Sequence, residues 1–348
     1  MAFFQKKIFT LIILFIAASS SSKAELKTVL MSLENHRYEI TENRFFIADI
    51  IDLRDNKENI GFTKVGTDKY AYVNFKELFS EELQNYLNLN IKTGLERLHI
   101  AIDEFYISES SMNNKETGVC ELSVYFFLET DSGYLFISKY NNFTTVYGLD
   151  VTKKQPKNIG KSFEAAFIDL QTKNIKPRFL LKSLENLKDN PTFQKIKFNL
   201  SIFKEDFKTG IYYSFEDFQH NNPSQVPFRI DTVERFEAKW ERTPNFIPMH
   251  LTKRRKKIKD IWGFAINGEP YIYYNSEYFR VHRFQNEFYF YSYGNSNADY
   301  GVVAVSGLFF GAIGGAIAGA AVRDNIKKKK AKYALNPYNG NIKLKFDD

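Results

Sequence analysis

The sequence predicts an α+β protein of two β-rich domains built on antiparallel sheets, with a Gly/Ala-rich zipper helix or helical hairpin near the C-terminus. Three observations carry that expectation. Of 348 residues, 34 are Phe and 21 are Tyr, and flat rings pack well on a pleated, half-buried surface. Short apolar or alternating runs recur between turn-forming pairs in both halves, whereas helical periodicity is confined to short stretches. Residues 301–322 read GVVAVSGLFFGAIGGAIAGAAV, a run without charge that carries glycine at every fourth position.

Length leaves room for about two domains of ~100–200 residues, and 44% hydrophobic content excludes a disordered or collagen-like chain. The single cysteine, Cys120, excludes an intramolecular disulfide framework and a cysteine-based zinc cluster. Residues 1–24 place Lys6 and Lys7 before an apolar run from Ile8 to Ala18, then a serine tract ending Ser22-Lys23-Ala24. That pattern is a secretory signal peptide with Glu25 as the mature N-terminus. No cysteine follows the apolar run, so the modification box of a bacterial lipoprotein is missing. The net charge of +7 includes three lysines of the signal, and the mild basicity left does not argue for nucleic acid.

The first domain is expected over 41–176. Arg44 to Ile51 suits a buried strand, and Asp52 to Ile60 supplies a charged loop before the next strand. Phe75 to Leu89 carries Leu78, Phe79, Leu83, Tyr86 and Leu87 at helical spacing. Leu95 to Ser108 and Val119 to Glu129 resume as strands, Asp131-Ser132-Gly133 makes a hairpin turn, and Tyr134 to Tyr147 returns as partner. Ser162 is expected to cap a second helix running to Leu170, with Glu164 complementing its dipole. The order β-β-α-β-β-β-α places helices on one sheet face. That order, with Ile50-Ile51-Asp52-Leu53-Arg54 and Ile60-Gly61, resembles the auxiliary lipoprotein domains of gram-negative envelope transport and assembly systems. The resemblance implies a non-catalytic envelope domain.

Residues 177–209 are expected to form a linker with a short helix between Pro177 and Asn190-Pro191. The second domain is expected over 210–348. Gly210-Ile211-Tyr212-Tyr213-Ser214-Phe215-Glu216-Asp217-Phe218 leads to Asn221-Asn222-Pro223-Ser224, and later come Ile261-Trp262-Gly263-Phe264 and Tyr271-Ile272-Tyr273-Tyr274. These segments resemble an uncharacterised family of secreted proteins from gram-negative bacteria with the pattern G-x-Y-x-S-F-E-E-F…N-x-P-S, a family that implies no known activity. Lys257 to Ile266, Glu269 to Tyr274, Tyr278 to Phe284 and Glu287 to Tyr293 read as a meander turned at Asn267-Gly268, Asn275-Ser276 and Gln285-Asn286. Within it Phe288, Phe290 and Ser292 should face one way and Tyr289, Tyr291 and Tyr293 the other, and a tyrosine-lined sheet is able to stack sugar rings or bases.

On a helix, Gly307, Gly311, Gly315 and Gly319 make one stripe where a second backbone can approach closely. The run is long enough at ~1.5 Å per residue to cross a ~30 Å hydrocarbon core. Arg323 and Lys327 to Lys330 follow it and Asp299 precedes it, which by the positive-inside rule describes a single span with a cytoplasmic C-terminus. Against that, Pro337-Tyr338-Asn339-Gly340 and the alternating Ile342, Leu344 and Phe346 read as a turn and strand closing the second sheet, which needs both flanks on one side. Gly314-Gly315 would then be the bend of a helical hairpin.

Catalytic patterns are absent from the sequence. His36, His99, His220, His250 and His282 show no metal-ligand spacing. Cys120 opens a strand and is expected to be buried. Gly160-Lys161-Ser162 imitates the end of a phosphate loop, but Gln155 stands where its first glycine belongs. Asp103 and Glu104 are adjacent on a strand and so should point to opposite faces. Lys253, Arg254, Arg255, Lys256 and Lys257 form a basic run, either a solvated loop or a contact with anionic headgroups. The expectation is an exported cell-envelope binding or assembly protein, not an enzyme and without cofactor. Its partner is a membrane or another envelope protein rather than nucleic acid, with self-association through the glycine stripe. The alternative is a soluble periplasmic binding module, its Gly/Ala run buried inside the domain and its ligand a polysaccharide or protein.

Overall fold

The computed structural model describes residues 27–34, 36–37, 44–65, 70–91, 94–112, 115–172, 179–235, 243–251, 256–274, 277–294, 329–338, 340 and 342–345. The long hairpin of β5 (Glu96–Met112) and β6 (Lys115–Thr130) is the spine of the N-terminal half. β7 (Gly133–Gly148) extends it through a turn in which Gly133 takes φ 133°, as Asp131-Ser132-Gly133 predicts. Along the opposite edge of β5 lie β2 (Phe45–Asp52) and β3 (Gly61–Lys64), both parallel to it. β4 (Tyr70–Phe75) then pairs with β3 and, on its other side, with β1 (Thr28–Met31). The sheet is therefore mixed, and its parallel pairings go beyond the antiparallel expectation.

Both faces of this sheet are covered. Leu122, Val124 and Phe126 of β6 pack under α1 (Phe79–Asn90) and α2 (Gln155–Thr172), whose Leu83, Leu87, Phe163 and Phe167 are fully buried. Tyr125 and Phe127, the alternate residues, point to the other face. Two helix starts differ from expectation. Phe75 ends β4, so α1 begins at Phe79. α2 begins at Gln155 rather than Ser162, because Pro156 in the first turn is the start signal. Ser162 is a buried mid-helix residue whose hydroxyl meets that of Thr144, and Glu164 lies far from the helix N-terminus. Gly160-Lys161-Ser162 is thus helix interior, not a loop that could wrap a phosphate.

The segment expected as linker is instead the cover of the second face. β8 (Leu180–Leu181) adds to β7, and a 3-10 turn over Leu187–Asp189 leads to α3 (Pro191–Lys197). Asn190 caps α3, its side-chain oxygen accepting from the Thr192 and Phe193 amides. Leu181, Leu187, Phe193 and Ile196 bury Tyr125 and Phe127, with the Phe193 ring edge-on to Tyr125 at 4.8 Å. After the single turn α4 (Ser201–Lys204) the chain enters the C-terminal half.

There β9 (Gly210–Tyr212), β12 (Gly263–Ile266), β13 (Glu269–Tyr274) and β14 (Glu277–Arg280) form one antiparallel sheet in the order β14-β13-β12-β9. β15 (His282–Phe284), β16 (Glu287–Gly294), β17 (Lys329–Leu335) and β18 (Ile342–Lys345) form a second, in chain order. The expected single meander is thus split at buried Val281, where the chain leaves one sheet for the other. Residues 257–262 also differ, because the strand expected from Lys257 starts only at Gly263. β10 (Phe228–Val233) and β11 (Asn245–His250) pair apart from both sheets. Tyr274, Phe279, Phe290 and Tyr333 interleave in the core between the sheets, Phe290 and Tyr333 stacked at 5.5 Å. The turn and final strand expected after residue 333 do close this sheet, β18 pairing with β17.

Because residues 180–197 complete the first half, a fragment of residues 27–198 should unfold cooperatively, while residues 27–176 should be markedly less stable or molten. Losing the cover from four large apolar side chains at ~1.5–3 kcal/mol each accounts for the difference. Urea unfolding followed by near-UV circular dichroism checks it.

Candidate functional site

The sequence stretch most suggestive of a motif is a folding device. A Cβ on Gly210 (φ 155°) would strike Ser224 O at 2.8 Å, and Ile211 and Ser224 exchange backbone hydrogen bonds. Ser214 and Asp217 form a reciprocal capping box at α5 (Phe215–Gln219), a feature worth ~1 kcal/mol. The Tyr212 hydroxyl donates to Asn221 Oδ1 at 2.9 Å, and Asn221 is fully buried in a left-handed turn at φ 49°. Phe218 packs on Trp262 with ring centroids 4.6 Å apart. Gly210, Tyr212, Ser214, Asp217, Phe218 and Asn221 therefore each have a structural task.

A second cluster joins the two halves. Asp103 sits in a β-bulge, left unpaired between Ile102 and Glu104. The bulge breaks the alternation that would separate Asp103 from Glu104, and both carboxylates turn to one group of partners. Asp103 receives Lys197 Nζ at 2.6 Å, Glu104 accepts from the Asn336 side-chain amide, and both act on buried Lys139. Lys139 Nζ lies 3.1 Å from the Tyr338 ring centroid and 4.7 Å from that of Tyr125. The Tyr338 hydroxyl donates to Lys197 O at 2.9 Å. Burial drives the Lys139 ammonium well below its ordinary range, with Asp103 opposing the shift, and drives the Tyr125 and Tyr338 phenols up. The turn that carries Asn336 and Tyr338 is held from behind by Gln219, which donates to Pro337 O and Tyr338 O at 2.9 Å each. The cluster fits a structural joint: Asp103, Glu104, Lys197, Asn336 and the Tyr338 hydroxyl bond within it, Lys139 lies against two rings, and the buried Tyr125 hydroxyl has no hydrogen-bond partner among the described residues.

The third feature is an outward face. Phe288, Phe290 and Ser292 of β16 are buried, and Tyr289 and Tyr291 project from the opposite side, in agreement with the expected alternation; the Tyr293 side chain lies outside the described residues. His282 stacks on Tyr289 from β15 at 5.3 Å, and the Tyr289 and Tyr291 rings meet edge-to-face at 5.9 Å. From β17, Lys332 Nζ lies 4.5 Å from the Tyr289 centroid and Lys330 Nζ 4.0 Å from that of Tyr291. These rings are hemmed in by the strands on both sides of β16, so a sugar or base would have to displace His282 or the lysines to stack there. The expected tyrosine platform is in fact a cationic one.

Gly307, Gly311, Gly315 and Gly319, with the helix or hairpin expected over 301–322, lie outside the described residues, as do Lys253, Arg254 and Arg255. Lys256 and Lys257 are exposed beside β11, where the Lys256 carbonyl accepts from the His250 amide. Among the described residues no helix is long and apolar enough to cross a membrane, and no group of three His, Cys, Asp or Glu side chains is placed to share a metal ion. Cys120 is buried, with its thiol pushed up to about 12 by burial. His99 contacts Glu129 at 2.7 Å, and Arg97 and then His99 hold that carboxyl below its usual range. Sequence reasoning missed the joint, because a bulge has no local signature. It also missed the lysine-on-tyrosine pairing, whose two strands lie on either side of residues 295–328.

Residues 210–345 match a family of unknown function, DUF6563, from the first residue of β9 to the last of β18. No curated protein and no solved structure matches the chain.

Lys139 has a consequence for stability. Between its depressed folded value and its ordinary 10.5, the unfolded chain binds the extra proton, so this group makes stability rise with pH. Lys139→Met should stabilise the protein at low pH and flatten that rise. Urea midpoints from pH 5 to pH 9 measure it, and the advantage over wild type should shrink as pH increases.

Proposed function

We propose that the protein is an exported cell-envelope binding protein that works without catalysis and is held at a membrane by its apolar segment, residues 301–322. The observation that supports this reading most is the pairing of Gly294 with Lys329. A chain that leaves β16 and returns to β17 in register has both its ends on one side of any membrane it enters. That register supports the hairpin reading over a single span with a cytoplasmic C-terminus, which would separate paired strands across ~30 Å of hydrocarbon. The reading that fits this register is the helical hairpin expected from the sequence, with Gly314-Gly315 as its bend. Each arm, about 11 residues, reaches ~16 Å, roughly half the hydrocarbon core. Gly307 and Gly311 fall on one arm and Gly315 and Gly319 on the other, which permits close backbone packing of the arms or of a second copy. The signal-like residues 1–24 support export.

Single cysteines at Ser296 and Asn325 test the reading, since buried Cys120 should be silent to a membrane-impermeant maleimide. The expected result is retention of the protein on carbonate-washed membranes with both positions labelled from the same side of sealed vesicles. Recovery in the soluble pool, or labelling of the two positions from opposite sides, would refute it.

A further inference from the structure

We propose that the outward face of the β15–β18 sheet is a docking surface for the anionic headgroups of a bilayer, with Lys330 and Lys332 as the contacting cations and Tyr289 and Tyr291 as the platform that holds them. The inference rests on the membrane reading above and names the lipid chemistry that the same end of the molecule meets. Its own support is separate from the apolar segment.

The face is built rather than incidental. Lys332 lies opposite Tyr291 in the strand register but reaches diagonally to Tyr289, and Lys330, opposite Tyr293, reaches to Tyr291. Each ammonium is drawn toward the negative face of an aromatic ring, which restrains a long side chain that would otherwise be free to wander. His282 stacks behind Tyr289 and adds a third basic group to the row. β18 contributes Lys343 and Lys345 at register positions opposite Ala334 and Lys332. By strand alternation exposed Glu287 shares the outward side of β16 with Tyr289 and Tyr291, at the opposite end of the strand from Lys330, so the cations of β17 gather toward the end nearer residue 294.

Tyrosine with lysine is also the composition that settles at headgroup depth, the ring partly in the acyl boundary and the amine among phosphates. The position fits, because β16 and β17 are the strands that run directly into residues 295–328 and the basic Lys327 to Lys329. A sugar-binding platform would instead leave ring faces open, and here His282 and the two lysines occupy them. Anionic headgroups need the ammonium groups and no open ring.

The test uses flotation with neutral phosphatidylcholine vesicles and with vesicles containing phosphatidylglycerol, for the full mature chain and for a variant in which residues 301–322 are replaced by a Gly-Ser linker. The linker variant should bind the anionic vesicles only, and lose them in high salt. Adding Lys330→Gln and Lys332→Gln should weaken that binding about 30-fold, from ~1 kcal/mol per basic side chain near an anionic surface. Lys330→Arg with Lys332→Arg should preserve it, and an unchanged thermal midpoint shows that the fold is intact. Lys256→Gln with Lys257→Gln should have little effect. Three results would overturn the inference: no binding of the linker variant to anionic vesicles, loss caused equally by the Lys256 and Lys257 changes, or binding to dextran sulfate without binding to vesicles. Salt-resistant retention of the unmodified chain on neutral vesicles reports on the apolar segment alone, so that reading stands or falls independently.

Discussion

The register of β16 against β17 is the constraint on which the rest of the C-terminal half depends. It brings Lys330 and Lys332 beside Tyr291 and Tyr289, it puts Phe290 against Tyr333 in the core, and it returns the chain to the point from which residues 295–328 depart. A one-residue slip would turn Tyr333 and Leu335 outward and bury lysines, at a cost of several kcal/mol for each desolvated ammonium. Pairing is therefore specified by burial on one face, and the aromatic and cationic character of the other face follows from the same alternation. Strand order alone would not have required this, because β17 is separated from β16 by a long stretch of chain. What compensates the entropy of closing that loop, which grows only slowly with length, is the apolar area that Tyr333, Leu335 and Ile342 bury.

How far the sequence could be read follows from how local each signal is. The β5–β6–β7 hairpins, the Gly133 turn and the burial of Phe288 and Phe290 were legible because period-two patterns and turn residues act over a few positions. The start of α2 is hard to read locally because Ser162 offers a cap signal that Pro156 overrides, and a buried face extends the helix through Gly160 at a modest propensity cost. Residues 177–209 read as a linker for a different reason. Phe179-Leu180-Leu181 and Phe193 look like the apolar face of any short helix, and only the long β6 with aromatics on both faces shows that a second cover is required. The bulge at Asp103 is the least legible feature, since it depends on which residues β5 and β6 bring opposite one another.

The segment that most resembles a signature is also the one most fully explained by folding. Gly210 permits a close approach, Tyr212 and Asn221 brace a turn, Ser214 and Asp217 cap a helix, and Phe218 fills the core. The contacts of these residues are accounted for by folding. The outward groups are where binding chemistry has to be sought, and among them the row formed by His282, Tyr289, Tyr291, Lys330 and Lys332 is held in place by its own contacts.

The joint between the halves turns that surface into an oriented one. Asn336 and Tyr338 belong to the turn between β17 and β18, and they reach Glu104, Lys139 and Lys197 on the N-terminal sheet and its cover. β17 is therefore a strand whose far end is fastened to the first half. The fastening uses buried polar groups, which contribute little net stability but are intolerant of misplacement, since an ammonium or carboxylate separated from its partners in the interior is costly. Apolar contacts alone would allow the halves to slide; the Asn336–Glu104 and Tyr338–Lys197 hydrogen bonds fasten them to each other at fixed points. The N-terminal sheet is in this way held in a defined attitude to the β15–β18 sheet, because the turn after β17 cannot move without disturbing buried polar groups on β5 and α3.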